Sequence, residues 1–194
     1  MSQQNTNTAD TQQARTVESV DRGKLDLKAL TLYAILLAAG FVLNMTVSKF
    51  FSGLTGGILS PEFIIAAFCL EILIIKPNIG QAAVIGLLAG VVIQITASVK
   101  GPDLIAEPVA AVVMALLVSA LGKGGAKGAL PLVGTFVVTC ISGLIYAVIF
   151  ACLVQRNPAL IGVMAPVVAA TGVCNAIIVA ALFVPIKKAL KLSD

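Results

Sequence analysis

The sequence predicts an all-α membrane protein of six transmembrane helices, with both termini in the cytoplasm. Three observations predict it. Hydrophobic residues make up 59% of the chain and charged ones 11%, where a soluble domain carries about 45–50% and about 25%. The apolar residues fall into six runs divided by Gly, Pro and charged breakers. The basic residues flank those runs on one side more than the other.

Residues 1–24 are polar and rich in Gln, Asn and Thr, without the apolar stretch of a signal peptide. A disordered cytoplasmic tail is expected there. Residues 25–194 are expected to form one six-helix transmembrane substrate-binding domain, with no length left for a second globular unit.

Crossing the hydrocarbon core takes roughly 20 apolar residues. The first span is expected over 27–47, followed by the loop KFFSGLTGGILSP. The second runs over 62–75 to Lys76-Pro77-Asn78, and the third over 79–97 to the KGPD loop. The fourth is expected to start near Glu107-Pro108, with the proline where a missing N–H costs nothing, and to end at GKGGAKG. The fifth covers 130–154 up to QRNP. The sixth covers 160–184, with Pro185 before the basic end KKALK. Spans two and four are short.

Placing both termini inside puts Arg15, Arg22, Lys24, Lys28, Lys76, Lys123, Lys127, Lys187, Lys188 and Lys191 on the inner side. Only Lys49, Lys100 and Arg156 then face out. Ten against three is a clear positive-inside bias. Basic residues so placed are topology signals, and no nucleic-acid partner is expected. The first loop, KGPD and QRNP then face outward, where material for a lid is concentrated.

Polar side chains at membrane depth are costly unless they pair or face a cavity. Asn44 stands near the outer end of span one and Gln94 near that of span three. Thr139, Ser142 and Tyr146 follow one side of span five, and Thr171 and Asn175 stand four apart in span six. They read either as the lining of a solute cavity open to the outside or as interhelical hydrogen bonds, worth about 0.6 kcal/mol on average. Glu71, toward the inner end of span two, is expected to reach the inner interface near Lys76 or to meet a partner subunit.

Catalysis finds no support. The sequence has no histidine, no HExxH, no GxSxG and no P-loop. Glu62 and Glu107 both belong near the outer surface, but one such pair is weak evidence for hydrolysis. The cysteines, Cys69, Cys140, Cys152 and Cys174, lie in apolar runs without a CxxC pair and read as small hydrophobes, with no metal site. No inverted repeat or pair of broken helices marks a secondary transporter. An outer cavity without an energy source implies that another subunit supplies the energy.

With these features in place, the chain resembles the S components of energy-coupling factor (ECF) transporters, the six-helix vitamin-capture subunits of prokaryotes. The resemblance covers roughly 25–190. It rests on the span and loop pattern, on AxxxA in helix one as Ala34-Ile-Leu-Leu-Ala38, and on GGILSPEF, KPNIGQAAVIGLLAGVVIQ and EPVAAVVMALL. The last three are similar to the branch of pantothenate and tryptophan carriers. It implies a non-catalytic subunit of the cell membrane that captures solute from outside and docks through Ala34 and Ala38 on a membrane coupling (T) subunit. Two cytoplasmic ATPase subunits would use ATP and Mg; no cofactor is expected in this chain.

The residues expected to bind solute are Asn175, Thr171, Gln94, Tyr146, Lys100, Ser142 and Asn44. Few aromatic side chains are available to stack on a flat ring, and Lys49 and Lys100 offer cations to a carboxylate. Pantothenate is therefore expected first, with tryptophan or another B vitamin or precursor as the alternative. A stand-alone secondary carrier is the alternative class.

Overall fold

The computed structural model describes residues 25–121 and 128–190. The expected tail over 1–24 lies outside the described residues, as do Lys123, Lys127 and Lys191. The described residues form six helical elements: α1 (Leu27–Leu54), α2 (Phe63–Ile75), α3 (Ile79–Gln94), α4 (Asp103–Leu121), α5 (Leu130–Val154) and α6 (Leu160–Ala189). Four of them, α1, α4, α5 and α6, are long and apolar enough to cross a membrane; α2 and α3 are shorter apolar helices.

Exposed side chains on the bundle surface include Ile35, Val42, Leu153, Val163 and Ile177, while Glu71, Glu107 and Asn175 are buried. An apolar exterior around a partly polar interior suits lipid as the solvent. The chain is a multi-pass membrane protein.

Local chemistry sets several boundaries. Asp26 starts α1 by accepting the Ala29 N–H at 2.8 Å. Asn78 and Gln81 form a reciprocal capping box at the start of α3, with bonds of 2.9 and 3.1 Å. Gly101, at φ +109°, makes the turn into α4.

Three boundaries differ from the sequence expectation. α1 continues to Leu54 through a wide π-helical turn over Asn44–Ser48, so the first loop is shorter than expected. α4 begins at Asp103, with the Pro102 carbonyl accepting the Ala106 N–H at 3.0 Å. Pro102 thus leads into the helix, and Pro108 lies inside it. α6 runs through Pro185 to Ala189, because Phe183 and Ile186 pack against Ala29, Ile74 and Ile75 and hold the last turns. Packing there overrides the local preference.

α2 is the axis of the bundle. Every residue from Ile64 to Ile75 is buried, and the helix touches each of the other five. A helix that is apolar all round belongs in such a place. Its 13 residues rise about 20 Å, less than the roughly 30 Å of hydrocarbon. Both of its ends therefore lie among protein groups. Glu71 is carried into this interior, 0% exposed and with neither carboxylate oxygen hydrogen-bonded. The expectation that it reaches the interface is corrected: α2 is surrounded along its length, and the side chain has no path outward.

α3 and α4 approach closely. A Cβ on Gly86 would stand 2.7 Å from both the Ala111 Cβ and the Pro108 Cα, and one on Gly90 would stand 2.7 Å from the Asp103 carbonyl oxygen. These two glycines set the position of the first turns of α4, and with them Asp103 and Glu107.

Candidate functional site

A cavity of about 540 Å³ opens at the end of the bundle away from the start of α1 and the end of α6. That volume lies within the usual range for small-molecule sites. Its wall takes residues from every helix or its flanking turn: Asn44, Met45, Ser48 and Lys49 from α1, Glu62 and Ile65 at α2, and Ile93 and Thr96 at the end of α3. Asp103 and Glu107 come from α4, Thr139, Ser142 and Tyr146 from α5, and Met164, Val168 and Thr171 from α6.

The segment 55–62 closes part of the mouth and is tied down on several sides. The Leu59 N–H donates to Thr55 Oγ1 at 2.9 Å, and Thr171 Oγ1 donates to the Ser60 carbonyl at 3.1 Å. The Ser48 and Ser60 hydroxyls stand 3.3 Å apart. At its end the chain turns into α2, whose first N–H groups have no intrahelical partners. Two asparagines supply them. The Glu62 N–H donates to Asn175 Oδ1 at 2.9 Å, and the Phe63 N–H donates to Asn44 Oδ1 at 2.7 Å. Asn44 Nδ2 also donates to Glu62 Oε2 at 2.8 Å, and Asn175 Nδ2 to Thr139 Oγ1 at 3.3 Å.

Elsewhere in the lining, Ser142 Oγ donates to Glu107 Oε1 at 2.9 Å. Glu107 Oε2 is buried without a hydrogen-bond partner. The Tyr146 ring stacks on Phe150, centroids 6.0 Å apart at 16°. Three carboxyl groups, Glu62, Asp103 and Glu107, thus face one cavity, with Lys49 as the basic residue of the described lining.

Comparison with protein-family models, curated proteins and solved structures finds no match.

Four of the seven residues expected to bind solute line the cavity: Asn44, Ser142, Tyr146 and Thr171. The other three lie outside the lining. Asn175 is 0% exposed and spends its amide on Glu62 and Thr139. Gln94 Oε1 accepts the Gly101 N–H at 3.0 Å, and Lys100 Nζ donates to the Gln94 carbonyl. These two side chains fasten the turn between α3 and α4. The carboxyls of Glu62, Asp103 and Glu107 stand in the wall without having been counted among the binding residues. The signal that locates two of them is Gly86 and Gly90, each set against the carbonyl of one of the α4 acids. Ala34 and Ala38 are exposed on the outer side of α1, away from the cavity.

Proposed function

We propose that the chain is the solute-capture subunit of an ATP-driven importer of the energy-coupling factor type. In this reading six helices span the cell membrane, both termini are cytoplasmic, and the cavity faces outward. A coupling (T) subunit and two ATPase subunits that use ATP and Mg complete the transporter. The observation that carries the reading is the cavity itself: lined by polar and apolar side chains from all six helices or their flanking turns, with the segment 55–62 in its wall. The charge asymmetry around the helices supports the orientation.

Ala34 and Ala38 are exposed beside Ile35, with Thr31 and Val42 continuing the same side of α1. Small side chains let a second helix approach closely in lipid, where association depends on packing. That face suits docking on the coupling subunit. Leucine at both positions is expected to cut uptake, in cells co-expressing the coupling and ATPase subunits, by at least about tenfold while leaving solute affinity within about twofold. Equal loss of binding and uptake would show that the two alanines serve the bundle's own packing.

The solute is small, of B-vitamin size. Pantothenate would use the two outer lysines, but only Lys49 lines the cavity, so a carboxylate solute loses half of its support. Lys100→Ala is expected to leave solute affinity within about twofold, as for substitutions away from a site. Titration calorimetry of the variant checks this, and a tenfold loss would bring Lys100 into the pocket.

Glu71, buried and unpartnered, favours a second reading, since intramembrane carboxyls serve as proton relays in ion-driven carriers. Uptake by this chain without any ATPase, driven by an imposed proton gradient, would establish that reading and remove the first.

A further inference from the structure

The described cavity lining sets three carboxyl groups against a single basic residue, Lys49. Glu62 stands where the closing segment enters α2, and Asp103 and Glu107 lie one turn apart on α4. Each of the latter two is over nine-tenths buried. Glu62 and Glu107 each take one side-chain hydrogen bond, from Asn44 and Ser142. Glu107 is part of the cavity lining, and its Oε2 is buried without a hydrogen-bond partner. Glu62 and Glu107 each lie within electrostatic reach of Asp103. Lys49, at the rim, is exposed.

Buried charge of one sign calls for a counter-charge. A metal ion does not fit this donor set: among the described residues, no three His, Cys, Asp or Glu side chains are placed to hold one. The carboxyls are spread along the wall of a cavity large enough for an organic molecule. The same lining includes Ile65, Met164, Val168 and Tyr146, which suit an apolar body. We infer that the solute is a small organic cation, an amine with an apolar body, whose ammonium group is held by Glu107 with Glu62 and Asp103 beside it. This rests on the capture-subunit reading and names the class of solute the same cavity takes. The Glu107 carboxyl accepts one ammonium hydrogen, Glu62 and Asp103 add charge, and the Tyr146 ring offers a surface on which a cation or an apolar group packs.

The test uses the full chain purified in detergent. Compounds released on denaturation are identified by mass spectrometry, and binding of tryptamine and of indole-3-propionate, similar skeletons of opposite charge, is measured by calorimetry. The inference expects a released compound with a protonatable amine, or binding of tryptamine in preference to the acid. Glu107→Gln should then weaken binding about ten- to hundredfold, the worth of a hydrogen bond to a charged group. Because glutamine still accepts from Ser142, its melting temperature without ligand should stay near that of the parent chain, which separates lost recognition from lost folding. Glu107→Asp should restore part of the affinity. A released compound that is an acid without an amine, or preference for indole-3-propionate, overturns the cation while leaving the capture subunit standing. Absence of any released compound together with no binding of either probe overturns both.

Discussion

Asn175→Ala is expected to destabilise the bundle by about 2 kcal/mol, because it leaves the part-buried Glu62 N–H without its acceptor. An unmade hydrogen bond at a buried donor costs about 1–3 kcal/mol, and the space left by the amide adds to that. No other acceptor is placed to substitute, since the Asn44 carbonyl oxygen is already engaged by the Phe63 N–H. The Thr139 hydroxyl also loses the amide that donates to it. Asn175→Asp keeps the acceptor and should lose much less. Titration with SDS in mixed micelles, followed by circular dichroism, measures both variants. A loss below about 0.5 kcal/mol for alanine would mean that water reaches the head of α2.

Gly86→Val is expected to cost about 3 kcal/mol or more and to abolish solute binding. The new side chain would overlap the backbone of α4 at Pro108 and the methyl of Ala111, neither of which can swing aside. The helices would have to part, carrying Glu107 away from Ser142 and out of the cavity wall. Gly162→Ala is the control: an added Cβ there meets nothing within 4 Å, and a helix gains roughly 0.5–1 kcal/mol from the exchange. Comparing the two melting temperatures, and calorimetry on the valine variant, tests the claim. A valine variant as stable as the parent would show that α3 and α4 slide freely.

Hydropathy alone places all six helices, because each is dominated by apolar residues and bounded by turn chemistry such as Asn78, Gly101 and QRNP. It misplaces helix ends where packing or backbone geometry outweighs local preference, at Pro108, Pro185 and the π-helical turn after Leu43. Polar residues in apolar runs point to the end of the bundle where the cavity opens but do not say which will face one another. Asn44 and Asn175 are drawn to the bare end of α2, a demand that exists only once a 13-residue helix is enclosed by longer ones. Lys100 folds back on its own turn. Glu62 and Glu107 read in sequence as boundary residues of two spans, and their convergence depends on the glycine contact between α3 and α4 and on Asn44.

The short α2 also constrains how the chain is made. Alone in lipid it would leave backbone groups stranded in hydrocarbon, so it cannot be inserted and parked as an independent span. One acceptor for its leading N–H groups, Asn44, precedes α2 in the chain; the other, Asn175, lies 113 residues beyond Glu62. Until α6 arrives, the axis of the bundle is unfinished. Completing that axis therefore takes a clasp between an early part of the chain and a late one.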